Sequence, residues 1–141
     1  SYTLSDNVER LFLLGNKDID GTGTSLADIL HGNAGNNDIK GRAGTDSLYG
    51  HKGNDRLFGG ADADADNFYF STGDGKDRVM DFLDGVDQLH LEGWNALTSL
   101  ADLKNNHASN QGGNLLIEAG GDSLLVLGIQ KADLDVGDVY F

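Results

Sequence analysis

Residues 41–60 read "GRAGTDSLYGHKGNDRLFGG", and in them Gly, Asp and Leu return at one fixed interval. Gly41 is followed by Gly50, Gly44 by Gly53, Asp46 by Asp55 and Leu48 by Leu57, each nine residues on. A helix repeats near 3.6 residues and a strand at 2. A beat of nine therefore belongs to a larger unit of turn plus strand, wound repeatedly.

Outward from this stretch the beat continues in both directions. From Gly23 the nines run "GTSLADILH", "GNAGNNDIK", "GRAGTDSLY" and "GHKGNDRLF", followed by "GGADADADNFYF". Their core is Gly, any residue, Asp or Asn, any residue, large apolar: Gly35-Asn37-Ile39, Gly44-Asp46-Leu48, Gly53-Asp55-Leu57. The first nine keeps Asp28 and Leu30 but has Leu26 in place of Gly. The fifth is two residues longer, because Phe68 falls eleven after Leu57. Gly75-Asp77-Val79 and Gly85-Asp87-Leu89 repeat the core on a looser beat and read as degraded turns of the same winding.

The segments around the repeats divide the chain into 1–22, 23–91 and 92–141 within one structural domain. Residues 1–22 have apolar clusters without the Gly-x-Asp core and read as a strand cap at the start of the stack. After Leu91 the rhythm stops. Leu97, Leu100 and Leu103 have helical spacing, with Thr98 or Ser99 as N-cap. Residues 114–129, "NLLIEAGGDSLLVLGI", read as a hairpin joined by "AGGD". "KADLDVGDVYF" predicts a short helical turn and a final strand. This tail is expected to lie as a lid over a sheet edge that would otherwise stay unpaired, with Trp94 anchoring it.

The composition of the 141 residues bears on what such a fold needs. The 21 Gly are about twice the usual share, and there is no Pro or Cys. Periodic Gly interleaved with Leu, Ile and Phe argues for an ordered, turn-rich fold. Without disulfides another staple is required, and metal ions are the obvious one. The net charge is -13, from 23 acidic against 10 basic residues. Such a surface repels nucleic acid and anionic membranes and attracts cations. No apolar run approaches transmembrane length. The opening "SYTLSDNVER" lacks the basic start and apolar middle of a signal peptide, so the chain reads as a piece of a longer protein.

With two nines per coil, turns two repeats apart stack. Leu30, Ile39, Leu48, Leu57 and Phe68 then point inward. Asp28, Asp46 and the Asp64/Asp66 region line one side, and Asn37, Asp55 and Asp77 the other. Carboxylates stacked at strand spacing, roughly 5 Å, repel one another unless a cation lies between them. Oxygen-only ligands suit Ca²⁺, which takes about 6–8 oxygens, whereas Mg²⁺ demands a tighter octahedron and Zn²⁺ prefers His or Cys.

Residues 23–91 resemble the haemolysin-type, repeats-in-toxin (RTX) nonapeptide, and the last fifty residues resemble segments closing such modules in serralysin-like proteases. The resemblance implies an all-β fold: a right-handed parallel β-roll of calcium-binding nonapeptides, capped by a C-terminal β-rich segment with a short helix. In that family six oxygens hold each ion, from one turn and the turn two repeats on. Carried onto this chain, one ion lies between Thr24, Leu26, Asp28 and Gly41, Ala43, Asp46. A second uses Asn33, Gly35, Asn37 with Gly50, Lys52, Asp55. A third uses Arg42, Gly44, Asp46 with Gly59, Ala61, Asp64, and a fourth His51, Gly53, Asp55 with Thr72, Asp74, Asp77. About four Ca²⁺ ions are thus implied. Asn37 offers a neutral oxygen where the family prefers Asp, which should weaken its site. In the lengthened fifth unit, register with Phe68 favours Asp66 as ligand and distance from Gly59 favours Asp64.

Nothing in the sequence suggests catalysis: there is no G-x-S-x-G and no Ser, His and Asp in triad order. His31, His51, His90 and His107 are scattered and read as surface residues. Tyr49, Phe58 and Tyr69 occupy ninth positions and suggest an exposed aromatic ladder, as edge packing or as a sugar-stacking stripe. The resemblance implies a calcium-dependent folding module of a protein exported by a Gram-negative type I secretion apparatus into the extracellular medium. The ending "DVYF" resembles the extreme C-terminus of such export signals. The alternative is an accessory module for an anionic polysaccharide, like the R-modules of alginate epimerases, with Lys40, Arg42, Lys52, Arg56 and Arg78 as its basic cluster.

Overall fold

Each nine folds as a turn and a three-residue strand in which only the middle side chain is fully buried. The computed structural model describes residues 1–141. The winding begins with β1 (Tyr2–Thr3), β2 (Arg10–Phe12) and β3 (Gly21–Thr22). It continues through β4 (Ile29–His31), β5 (Asp38–Lys40), β6 (Ser47–Tyr49) and β7 (Arg56–Phe58). Longer strands follow: β8 (Asn67–Ser71), β9 (Lys76–Val79) and β10 (Gln88–Gly93). The even-numbered strands pair side by side in one parallel sheet and the odd-numbered in another, β2-β4-β6-β8-β10 facing β1-β3-β5-β7-β9. Residues 1–22, expected as a cap, enter both sheets.

Two inner columns of apolar side chains follow from this alternation. Leu30 pairs with Leu48, Leu48 with Phe68 and Phe68 with Leu89 on one sheet. Ile39 pairs with Leu57 and Leu57 with Val79 on the other. All seven are fully buried. Each contributes roughly 1.5–3 kcal/mol of gross burial, so the short strands are held by packing between sheets rather than by their own length.

The tail is β-rich with a short helix, as the sequence implied. Ser99 caps the helix: its hydroxyl accepts the Asp102 N–H at 3.1 Å. The single turn α1 (Leu100–Asp102) runs on as a π-helical turn over Leu103–His107. Then β11 (Ala108–Gln111), β12 (Asn114–Ala119) and β13 (Asp122–Val126) form an antiparallel meander. Its 12–13 connection carries Gly120 and Gly121, both with positive φ (65° and 98°), as a two-residue hairpin turn requires. β13 docks parallel to β9 and extends that sheet to eight strands, and β14 (Val139–Tyr140) pairs with β10 to make the other six. Trp94 is 2% exposed and its indole N–H donates to the Ala119 carbonyl at 3.2 Å. No helix is long and apolar enough to cross a membrane.

The outer face of the six-stranded sheet carries an aromatic ladder different from the one expected. Its rungs are Phe12, His31, Tyr49, Tyr69, His90 and Tyr140, with ring centroids 4.2–4.9 Å apart and planes within 18° of parallel. Phe58 is not among them. It lies on the eight-stranded sheet, where the Lys40 ammonium sits 5.4 Å from its ring centroid. Ninth positions alternate between sheets, so a stripe read along the sequence mixes two faces. His31 and His90, read as isolated surface residues, are rungs, and His51 hydrogen-bonds His31 ring to ring at 2.9 Å. Because the rings stack on one another their faces are covered and their edges meet solvent. That geometry is packing across strands rather than a platform for sugars.

Candidate metal centre

The turns that precede the strands build two columns, one along each edge of the roll. On the first, the backbone N–H of Asp28 donates to Asp46 Oδ1 (2.8 Å), that of Asp46 to Asp66 Oδ1 (2.9 Å) and that of Asp66 to Asp87 Oδ1 (2.9 Å). On the second, the N–H of Asn37 donates to Asp55 Oδ1 (2.7 Å) and that of Asp55 to Asp77 Oδ1 (2.9 Å). Each carboxylate thus gives one oxygen to the turn before it. The other oxygen of Asp46 and Asp55 is buried with no hydrogen-bond partner, and so is Asp28 Oδ1. A buried unpaired carboxylate oxygen is costly, and a bound cation would supply its missing partner.

Carbonyl oxygens converge on the same places because glycine leaves them open. A Cβ on Gly41 would lie against Asp46 Oδ2 and 2.6 Å from the Gly59 carbonyl oxygen. A Cβ on Gly23 would lie 2.6 Å from Asp28 Oδ2 and 2.7 Å from the Gly41 carbonyl oxygen. Carboxylate oxygens of one coil and carbonyl oxygens of the next therefore crowd against the same glycines, where no side chain would fit. This all-oxygen donor set without nitrogen or sulfur fits a hard cation of the Ca²⁺ type.

The expected site residues are brought together unevenly. Asp28 and Asp46 meet with Gly41 between them, and Thr24 supplies both its N–H and its hydroxyl to Asp28 Oδ2. In the next set both ends of the Asn37 amide are already hydrogen-bonded, and its Oδ1 keeps one lone pair. Its Oδ1 accepts the Asn33 N–H (2.8 Å), and its amide donates to the Ile19 carbonyl (2.8 Å) and to Asn33 Oδ1 (3.0 Å). In the lengthened unit Asp66, not Asp64, stands in the column: Asp66 is 2% exposed, whereas Asp64 is on the surface. Arg42 and His51 hold left-handed φ angles (97° and 65°), a conformation costing a non-glycine residue of order 1 kcal/mol. Thr72 donates its N–H to the Gly93 carbonyl, and its hydroxyl accepts the Asn95 N–H.

Further acidic rungs were not assigned from the sequence. Asp87, part of a degraded repeat, was visible in the Gly-x-Asp pattern. Asp81, which accepts the Gly59 N–H at 2.9 Å, lies outside that pattern. So does Asp122, whose two oxygens accept the N–H groups of Gly73 and Gly75 (2.7 and 3.2 Å). Asp138, 1% exposed, accepts the Gly85 N–H at 3.1 Å. The tail thus closes both columns.

Without a cation the columns resist ionisation. Burial, with smaller contributions from Asp66, Asp28 and Asp62, pushes Asp46 up to about 8. Burial, then Asp77 and Asp74, does the same for Asp55, also to about 8. Asp66 and Asp77 rise to about 7, again chiefly by burial. Raised folded-state values mean that the folded chain holds protons the unfolded chain releases. The metal-free roll therefore loses stability as pH rises from the ordinary carboxylate range near 4 through about 8. Circular dichroism in EDTA should show more β-structure at pH 4.5 than at pH 8, and a metal-free spectrum improving toward pH 8 would contradict this.

A family model described as the RTX calcium-binding nonapeptide repeat (4 copies) matches residues 22–57 and 31–65. The extracellular lipase LipA from Serratia marcescens has a similar fold, at a TM-score of 0.54 and 23% identity over 86% of this chain and 20% of the lipase. The chain therefore spans about a fifth of that lipase. The AlgE6R3 subunit of the Azotobacter vinelandii mannuronan C5-epimerase aligns at 25% identity over 84% of this chain and 80% of the subunit, with a TM-score of 0.34. No curated protein matches the chain. Residues 22–65, wound as a parallel β-roll, thus match the RTX calcium-binding nonapeptide repeat.

Proposed function

We propose that this chain is a calcium-triggered folding module of a larger protein exported by a type I route, ordered only where calcium is abundant outside the cell. The observation that carries the reading is the set of buried, unpartnered oxygens on Asp28, Asp46 and Asp55. Bound Ca²⁺ would neutralise these carboxylates and tie each coil to the next. Asp28, Asp46 and Asp66 would hold ions along one edge, and Asn37, Asp55 and Asp77 along the other, with glycine carbonyls completing each set. The absence of Cys and Pro supports export as an unfolded chain, since neither disulfide formation nor prolyl isomerisation would delay folding afterwards.

Asp46 stands between Asp28 and Asp66, so it faces an ion on each side, while Asp28 borders one. Asn keeps the oxygen that accepts the neighbouring N–H but removes the charge and replaces the unpartnered oxygen with an NH2 group that cannot bind a cation. Asp46→Asn should therefore raise the calcium midpoint of folding about tenfold (~1.4 kcal/mol) and reduce cooperativity, with Asp28→Asn falling well short on both. Matched titrations followed by circular dichroism decide it, and equal effects would show that the ions do not share ligands.

The polysaccharide reading has one observation of its own. A groove of about 640 Å³ on the eight-stranded sheet is lined by Arg56, Lys76 and Arg78 beside Asn36, Asn54 and Gln111. Arg56 is engaged by Asp38 in a two-pronged ion pair, which leaves Lys76 and Arg78 as the cations facing the groove. The reading is secondary because Asp20 and Asp38 line the same groove and would repel an anionic chain.

A further inference from the structure

The two columns end differently at the N-terminal end of the roll. The first ends on Asp28, whose Oδ1 is buried with no hydrogen-bond partner. The second ends on Asn37, which is 1% exposed and has both side-chain polar atoms engaged. One coil below Asn37, eighteen residues earlier, stands Ile19, where a further carboxylate would continue the column. The step from Ile19 to Asn37 therefore has no column carboxylate to balance a cation. Asp18 and Asp20, on either side of Ile19, each give an oxygen to the coil above, to the N–H groups of Asn36 (2.8 Å) and Asp38 (3.3 Å).

What faces the lower carbonyls at this step is amide nitrogen. Asn33 is 6% exposed, and its Nδ2 donates to the carbonyls of Lys17 (3.0 Å) and Leu14 (3.3 Å). Asn37 Nδ2 donates to the Ile19 carbonyl (2.8 Å) and to Asn33 Oδ1 (3.0 Å). Asn33 Oδ1 also accepts the Gly35 N–H at 2.8 Å, which fixes the side chain from its own turn. The two NH2 groups thus use all their protons: three bonds go to carbonyls of residues 14–19, and the fourth ties the two amides together. The equivalent of Asn33 in the other column is Thr24, whose hydroxyl donates to Asp28 Oδ2 at 3.0 Å and leaves the coil below untouched.

We infer that Asn33 and Asn37 form an amide latch that takes the place of a calcium ion at the first step of the second column. The latch holds the turn of residues 14–19 to the roll, and this step takes up no metal. For the remaining steps this rests on the calcium reading above. The reason is one of charge. A cation and an amide NH2 group both present positive charge to carbonyl oxygens, but the neutral amide does so without needing carboxylates around it. A metal ion entering here would have to displace both NH2 groups, breaking four hydrogen bonds made inside the protein. Attachment of the first turn therefore does not depend on the filling of a site of its own.

Residue-resolved hydrogen exchange of the full chain by NMR in saturating Ca²⁺ tests this, beside a count of bound Ca²⁺ by equilibrium dialysis. In the parent, the side-chain NH2 protons of Asn33 and Asn37 should exchange more slowly than those of the exposed Asn7 and Asn105 by about tenfold or more. Asn33→Ala keeps the backbone carbonyl that the resemblance assigns to an ion and removes the Asn33 half of the latch. It should bind as many ions as the parent. Its Ala34 and Asn36 N–H groups, which donate to Gly15 and Asp18, should exchange faster by about tenfold or more, while those of the fully buried Leu48 and Leu57 keep the parent's rates. Freely exchanging Asn33 and Asn37 side chains in the parent would overturn the latch, since a bound ion would have displaced them. So would loss of an ion in Asn33→Ala, or unchanged exchange at Ala34 and Asn36. Should the variant fail to fold, the side-chain rates of the parent decide alone. A parent chain that binds no Ca²⁺ would overturn the calcium reading instead, and the latch would still be read from the same two side chains.

Discussion

Stripped with EDTA at pH 7.5, the chain will give the circular dichroism of a largely unfolded polypeptide. Millimolar Ca²⁺ will restore a cooperative, β-rich spectrum, and the same concentration of Mg²⁺ will not. The reason lies in the two columns. Ionised neighbours about 5 Å apart repel by roughly 3 kcal/mol per pair at an effective dielectric constant near 20. The first column alone stacks Asp28, Asp46, Asp66 and Asp87. Whole domains are stable by only about 5–15 kcal/mol, so this repulsion is enough to unfold the roll, and the net charge of -13 adds to it. With folded-state values of about 8 for Asp46 and Asp55, the metal-free roll at pH 7.5 must either hold protons that the unfolded chain releases or ionise and bear this repulsion, and a bound cation removes both costs. The donor set decides which cation. Rigid backbone carbonyls held by neighbouring coils can surround a larger ion of flexible coordination, whereas Mg²⁺ requires a near-ideal octahedron at about 2.0–2.1 Å and sheds its waters reluctantly. A chain equally folded in EDTA, or equally rescued by Mg²⁺, would refute the proposal. A midpoint of order 10⁻⁴–10⁻³ M would place the module among extracellular calcium domains.

The repeats were legible because one nine-residue beat sets turn, strand and core together. Leu30, Ile39, Leu48 and Leu57 could be placed inward, and Asp28 under Asp46, without coordinates. What the beat could not show was anything depending on which sheet a strand joins or on residues outside the beat. The aromatic ladder is one case: Tyr49 and Tyr69 were visible, but Phe12, His90 and Tyr140 belong to irregular units, and Phe58 faces the other way. An outer ladder of amide and carboxylate side chains is another. Asp18 Oδ1 accepts the Asn36 N–H, Asn36 Oδ1 the Asn54 N–H, and Asn54 Oδ1 the Lys76 N–H, at 2.8, 2.8 and 3.0 Å. It couples position-five residues that look like ordinary turn formers. The choice between Asp64 and Asp66 turned on how an insertion is absorbed. Strand register prevailed, because Phe68 must meet Leu48 in the core, and the slack was taken up nearer the glycines.

Truncation after Glu92 will leave a chain that stays disordered or aggregates even in saturating Ca²⁺. If the tail served only export, the repeats would fold without it. Half of the 22 buried apolar side chains lie beyond Glu92, from Trp94 and Leu97 to Leu134 and Val139, in one continuous cluster with the roll. Even at the lower figure of about 1.5 kcal/mol each, their gross burial exceeds the net stability of an ordinary domain. Removing them uncovers Phe70, Val79, Phe82, Leu89 and Leu91 on the other side of the contact. It also strips both sheets of a neighbour, since β13 covers β9 and β14 covers β10. The edges left behind would be exposed parallel strands with apolar partners, a form that associates with other chains. Calcium cannot replace what is lost, because the tail also supplies the polar closure of the columns. Asp122 holds the N–H groups of Gly73 and Gly75, and Asp138 holds that of Gly85, while its carbonyl accepts the N–H of Leu89. Terminal units of a stacked array bury one face only and depend on such a cap. The measurement is a calcium titration of residues 1–92 beside the full chain, by circular dichroism and light scattering. A truncated chain folding as a monomer at the parent's midpoint would show that the roll is self-sufficient and that the tail is not its cap.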